Sequence, residues 1–346
     1  MRLLFIKLKH IGDALLLTPT LTAVRARHPD AEIWVLVRKG TERILSGCPA
    51  IDEVLLAAPP ERWARGLVDW RAGIANLLRI RGARFDWVFE LGDGDRGRWV
   101  AALSGARTAA TGHGVNLDWL ARNAITHFSP HPWHNGHRVA KDYRTVGCFL
   151  PLPEEIPDLC FVRERTLPWP GGDGLEPFVV LHPGTRWLRK RWPSSRWMEL
   201  GNRLGECGWN IVLSCGPDPA EIELSRELAA GIRGKVVSTL GTAGWAELAG
   251  LLYRAGLFVG VDTAAMHLAA ACGCPTVAIF GPSVVDQWRP WKVSHRVVTA
   301  DSPSAKTDEP NGITAVSVDA VWDACRSLWC EAGVTEKRVV SRDVRL

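Results

Sequence analysis

Leu3-Leu4-Phe5-Ile6-Lys7-Leu8-Lys9-His10-Ile11-Gly12-Asp13-Ala14, running on into Leu15-Leu16-Leu17, opens the chain and decides its fold. The apolar run reads as a buried strand, Gly12 breaks it, and Asp13 stands at the turn into a helix. An apolar strand feeding straight into a helix is the pattern of a parallel sheet covered on both faces. Ligands of open α/β sheets gather at the carboxyl ends of such strands. Asp13 therefore has two readings. It is a general base facing that crevice beside the cations Lys7, Lys9 and His10, or it is a helix N-cap, a place Asp also favours.

The strand–helix unit repeats outward from this stretch. Strands are expected at 2–8, 32–37, 52–56 and 86–91, with helices over 14–27, 41–47, 61–82 and 97–104. Residues 150–176 then thin into prolines and glycines, the strongest linker signal in the chain. Beyond it, strands are expected at 178–182, 209–214, 236–238, 257–261 and 276–280, and helices over 194–207, 218–231, 244–254, 263–272 and 316–330. Two alternating arrays around a hinge predict an α/β chain of two Rossmann-like domains with parallel sheets facing each other across a cleft. The boundaries read as 1–160 for the first domain, 161–176 for the linker and 177–330 for the second, with 331–346 a tail. The 316–330 helix is free to pack on either domain.

Composition narrows the class. At 346 residues, 47% hydrophobic and 23% charged, the chain is an ordinary globular protein too long for one core. No apolar run approaches the roughly 20 residues of a membrane span, and the start lacks the order of a signal peptide. A cytoplasmic protein is expected. Nine cysteines, odd in number and mostly in apolar patterns, read as reduced and mostly buried. The net charge of +5 falls within residues 1–165, and the remainder is neutral. That favours an anionic partner for the first half, such as a phosphorylated substrate or an acidic membrane surface, over nucleic acid, which wants a dense basic cluster with a recognition motif. Seventeen tryptophans spread along the chain read mainly as core anchors.

Three strand-to-helix turns of the second half carry chemistry. Val261-Asp262-Thr263-Ala264-Ala265-Met266-His267 ends a strand and opens a small-residue helix, whose free amides and dipole suit a phosphate. Asp262 caps that helix or holds a cation, and His267 is one turn in. His182-Pro183-Gly184-Thr185-Arg186-Trp187-Leu188-Arg189-Lys190-Arg191-Trp192-Pro193 offers four cations, a hydroxyl and amides to a diphosphate. Ser214-Cys215-Gly216-Pro217-Asp218-Pro219-Ala220-Glu221 places Asp218 or Glu221 for ribose hydroxyls, or Asp218 as an N-cap. Two other signals are discounted. Gly92-Asp93-Gly94-Asp95-Arg96-Gly97 follows a late strand, and its aspartates repel a pyrophosphate, so an acceptor-facing loop is expected there. The series His127, His131, His134, His137 is broken by prolines and has no zinc spacing. Residues 61–82 mix tryptophans and leucines with arginines. They suit packing on a sheet and also lying on an anionic membrane.

Ile6-Lys7-Leu8-Lys9-His10-x-Gly12-Asp13 with Leu17-Thr18-Pro19 resembles the opening of the ADP-heptose:lipopolysaccharide heptosyltransferases, glycosyltransferase family 9, and most of all their heptosyltransferase III branch. The resemblance continues through His182-Pro183-Gly184, Lys190-Arg191-Trp192-Pro193, Gly260-Val261-Asp262-Thr263 with His267, and Phe280-Gly281-Pro282 with Trp288-Arg289-Pro290-Trp291. It implies a GT-B architecture and inverting transfer with no metal or cofactor. It implies Asp13 as the base and a donor site of Thr185, Lys190, Arg191, Glu221, Asp262, Thr263, Ala264 and His267. On the first half, Lys7, Lys9, His10, Gly12, Arg96 and His137 are the expected acceptor contacts. The implied partners are ADP-heptose and a lipid A-core acceptor, phosphorylated or not. They are met by a monomer peripheral to the cytoplasmic face of the inner membrane. The chain departs from the family in Thr263-Ala264-Ala265 and in the acidic Asp93-Gly94-Asp95 loop. The rival readings are heptosyltransferase II or another sugar transferase of the family, a nicotinamide dehydrogenase, and a non-catalytic nucleotide-binding protein.

Overall fold

A computed structural model describes residues 1–58, 67–92, 94–111, 125–131, 136–300 and 312–331. The chain divides into two compact units, Met1–Cys160 and Phe161–Leu346. Of the proline- and glycine-rich stretch, residues 150–160 belong to the first unit, and the expected linker 161–176 is held by the second. Leu167 N donates to Ala246 O, Trp169 Nε1 to Thr242 Oγ1, and Tyr253 Oη to Phe161 O.

The first unit is a six-stranded parallel sheet of β1 (Arg2–Lys7), β2 (Glu32–Arg38), β3 (Glu53–Ala57), β4 (Trp87–Glu90), β5 (Arg107–Thr111) and β6 (His127–Ser129), in the order β3-β2-β1-β4-β5-β6. Its described helices are α1 (Ile11–Leu16), α2 (Thr18–Arg27), α3 (Leu67–Ala83), α4 (Asp95–Leu103) and α5 (Arg138–Gly147). β1 is buried from Leu3 onward because both faces are covered. Leu4 and Ile6 join Leu36, Leu55, Ile80 and Val88 on one face, while Phe5 stacks on Phe89 at 5.2 Å.

The second unit repeats the plan with β7 (Phe178–His182), β8 (Asn210–Leu213), β9 (Val236–Ser238), β10 (Leu257–Val261), β11 (Thr276–Ile279) and β12 (His295–Val298). Its order is β12-β11-β10-β7-β8-β9, so each sheet reverses direction between its first and fourth strands. That reversal is the doubly wound switch point, β1/β4 in one unit and β7/β10 in the other. The helices are α6 (Ser194–Glu206), α7 (Pro219–Gly231), α8 (Trp245–Leu252), α9 (Ala264–Ala271), α10 (Val285–Trp288) and α11 (Val318–Glu331). α11, left open between the domains by its sequence, packs on β11, β12 and α6 of the second unit. Four tryptophans set that core: Trp192 meets Trp197 edge-on at 5.0 Å, and Trp209 stacks on Trp329 at 5.5 Å. All nine cysteines are free, and burial pushes the Cys272, Cys274 and Cys325 thiols up. No described helix is long and apolar enough to cross a membrane.

Candidate functional site

Three loops leave the carboxyl ends of β7, β8 and β10, neighbours at the centre of the second sheet. The loop after β7 tightens into a short 3₁₀ turn over Leu188–Lys190, with Lys190 N bonded to Trp187 O. That turn aims Lys190 across the switch point, where its Nζ donates to Asp262 Oδ2 at 2.5 Å. Asp262 thus takes the cation-holding role of its two sequence readings. Thr263 occupies the N-cap position of α9 without a side-chain cap bond, and its buried Oγ1 has no hydrogen-bond partner among the described residues. The amides of Ala264, Ala265 and Met266 precede the first intrahelical bond, His267 N to Thr263 O, and stand at the positive end of the helix dipole. His267 is buried one turn in. Arg191 brings a second cation, its buried Nε without a hydrogen-bond partner among the described residues. Thr185 is buried, and its hydroxyl accepts from Trp187 N at 3.3 Å, which fixes the loop.

Glu221 clasps the neighbouring loop. Its Oε2 accepts from Gly216 N at 2.8 Å, and a Cβ built on Gly184 would lie 2.6 Å from the same oxygen. Asp218 is the N-cap of α7, its Oδ1 accepting from Ala220 N at 2.8 Å. Under the loop after β7, His182 Nδ1 hydrogen-bonds Ser214 Oγ at 2.9 Å, and burial pushes its pKa down from 6.5 to about 4. Cations, an unspent helix terminus and an unspent hydroxyl around one switch point can grip a diphosphate.

In the first unit Asp13 lies inside α1 at its third position rather than at the N-cap, which is His10. Asp13 Oδ2 accepts from His10 N at 3.1 Å, which holds the carboxylate at the carboxyl end of β1. No ion pair to Asp13 occurs among the described residues. Lys7, expected to meet acceptor charge, is buried, and its Nζ is bonded to Asp142 Oδ2 at 2.6 Å and Leu91 O at 2.8 Å. His137, expected as an acceptor contact, N-caps α5 by accepting from Val139 N at 3.2 Å. Arg96 donates to Ala58 O at 2.6 Å, Lys9 and Gly12 are half-buried, and His10 is exposed.

Sequence reasoning missed Glu90 and Asp142. Glu90 Oε1 accepts from Gly92 N at 2.9 Å, and a Cβ on Gly97 would sit 2.6 Å from that oxygen. Gly92 and Gly97 thus make room for an internal carboxylate, a use of these two glycines that needs no dinucleotide. Asp93 and His134 lie outside the described residues. Among the described residues, no group of His, Cys, Asp or Glu is placed to hold a metal ion. Asp142 had one available signal: it stands one turn from both Val139 and Val146, on the apolar face of α5, where a carboxylate needs a cation to meet it.

Residues 162–313 match the model of glycosyltransferase family 9 (heptosyltransferase). A lipopolysaccharide heptosyltransferase 1 of Pseudomonas aeruginosa is 30% identical over 296 residues, covering 82% of this chain and 79% of the relative. A lipopolysaccharide heptosyltransferase 3 of Escherichia coli is 28% identical over 305 residues, covering 82% and 83%. An Escherichia coli heptosyltransferase solved with ADP superposes with a TM-score of 0.76 at 21% identity, over 96% of this chain and 99% of that one.

Proposed function

The chain is a member of glycosyltransferase family 9, the heptosyltransferases, and on that footing we propose that it moves a heptose from ADP-heptose to an inner-core lipopolysaccharide sugar, on the heptosyltransferase III branch and with inversion at the anomeric carbon. The observation that carries the donor half is the Lys190–Asp262 pair at 2.5 Å beside an α9 terminus with no side-chain cap. We assign the ADP diphosphate to the Thr263–Ala264 amides, Lys190 and Arg191, assisted by Thr185 and His267, and the ribose hydroxyls to Glu221. Fixed cations and dipoles there stabilise the charge that builds on the departing diphosphate.

Asp13 is the base of this reading. It accepts the proton of the acceptor hydroxyl as that oxygen attacks the anomeric carbon from the face opposite the leaving group, a contribution of about 10²–10⁴-fold. Lys9, His10, Gly12 and Arg96 are assigned to the acceptor, with Lys7 as the residue that holds the β1 terminus behind them. The enzyme acts as a monomer, peripheral to the cytoplasmic face of the inner membrane. The relative that is 30% identical bears the name of branch 1, which supports a second reading in which this chain acts at an earlier step.

Mass spectrometry of core oligosaccharide from cells lacking the gene tests both. Loss of one heptose supports the branch III reading. Loss of every heptose supports the earlier step, because later sugars are built on its product. The wild-type gene restores the core and an Asp13→Asn gene does not. A complete core in the deleted strain sinks the function, and restoration by Asp13→Asn sinks the base.

A further inference from the structure

α3 packs on β3 and α4 and buries Ile80 and Ala83 in the core of the first unit. Its opposite side is not the polar surface that such a helix normally turns to water. Ile74 is 47% and Leu78 65% exposed, one turn apart, and Leu103 at the end of α4 is 43% exposed. Arg81 ties these together, its Nη1 donating to Leu103 O at 2.9 Å. Arg71, Ile74, Ala75, Leu78 and Arg81 are all exposed and fall on one stripe of the helix. Between Trp70 and Phe85 the chain holds Arg71, Arg79, Arg81 and Arg84 and no acidic residue. Arg79 is ion-paired with Glu53 and lies over Trp34 at 5.3 Å. The outer face is therefore apolar at its centre and cationic at its margins.

We infer that this face of α3, with Leu103, docks the enzyme on an anionic lipid surface. It rests on the proposed function, in which the acceptor is carried by a lipid, and adds the residues that meet the membrane. Apolar side chains entering the headgroup boundary and arginines meeting lipid phosphates are the two contributions that hold an interfacial helix. A protein partner with a matching acidic rim would be drawn by the charge as well. Four arginines with no acidic residue among them over residues 71–84, around an exposed apolar pair, complement the phosphates and acyl boundary of an anionic lipid surface.

Co-sedimentation with vesicles of phosphatidylglycerol and phosphatidylcholine, against phosphatidylcholine alone, reads this directly. The full chain is expected to pellet with the anionic vesicles and to be released by salt. The Ile74→Asn/Leu78→Asn double variant is expected to lose about tenfold or more of that partition, while its turnover on a detergent-solubilised acceptor stays at the wild-type level. Hydrogen exchange adds a readout that needs no variant: the α3 amides are expected to be slowed by anionic vesicles. Equal vesicle binding by the double variant, or α3 amides indifferent to vesicles, overturns the inference. So does a lipid-free dimer of the wild-type chain that the double variant abolishes, since the face is then a subunit contact. Absence of heptose transfer by the wild-type chain on a soluble acceptor is a separate failure, that of the proposed function.

Discussion

Lys7 and Asp142 lie 135 residues apart and are withdrawn from water together, their side chains 3% and 0% exposed. A buried ion pair does not by itself stabilise a fold, because desolvation consumes most of the attraction. Breaking one is another matter. Asp142→Ala takes its carboxylate away from a buried ammonium and is expected to cost about 3–5 kcal/mol. The double variant Lys7→Met/Asp142→Leu should recover most of it. Urea unfolding of the three proteins measures both values. A single variant within about 1 kcal/mol of wild type would mean that water reaches the pair. His182 is the matching case in the second unit. Burial lowers its folded pKa to about 4 from 6.5. Its stabilising contribution is complete above the unfolded value and disappears as pH falls toward 4, because the unfolded chain then binds the extra proton. The ceiling is roughly 3 kcal/mol. Urea midpoints of wild type and His182→Asn at pH 7 and pH 4.5 should differ in slope. The variant, with nothing to titrate there, should lose less stability on acidification. Parallel losses would assign the acid sensitivity elsewhere.

Strands and the turns that follow them were the most legible elements, since a doubly covered strand is apolar at every position. β7 and β10 match the expected bounds residue for residue. The three loops of the candidate donor site were readable for the same reason, as polar residues abruptly ending apolar runs. Less visible were elements set by tertiary context. The helix expected over 14–27 is two helices, because Pro19 has no N–H to give and Thr18 Oγ1 turns back onto Leu15 O at 2.7 Å. β5, Arg-Thr-Ala-Ala-Thr, has little apolar bulk, and β6 and β12 are the last strands of their sheets. Pairings were the least legible. Ser214 under His182 and Asp142 on Lys7 come from distant segments, and the sequence does not show which segments meet. The Lys190–Asp262 contact joins two elements in this way, the turn after β7 and the helix after β10. Lys190→Ala removes a charged donor from that junction and is expected to weaken ADP binding about ten- to hundredfold in calorimetry. Unaltered affinity would move the diphosphate off this turn.

At the scale of the whole molecule, the same winding occurs twice, and each unit bridges its switch point with a lysine. Lys7 reaches from β1 to Leu91 O beyond β4, and Lys190 reaches from beyond β7 to Asp262 beyond β10. The two lysines are spent differently. Lys7 is buried and given to the fold, while Lys190 keeps 17% of its side chain exposed beside an uncapped helix. One plan therefore yields a closed crevice floor in one unit and a candidate anion site in the other. The second unit also holds its own core, from Val179 to Trp329, and its own leading segment, with Phe161, Leu167 and Trp169 bonded to Tyr253, Ala246 and Thr242. Nothing in that list depends on residues before Phe161. The fragment 161–346 is therefore expected to fold alone, with a cooperative urea transition, and to bind ADP within about tenfold of the full chain, a difference of about 1.4 kcal/mol. Calorimetry on the purified fragment decides it. A fragment that unfolds cooperatively yet fails to bind ADP would show that residues of the first unit complete the donor site, and the diphosphate would then have to be reassigned.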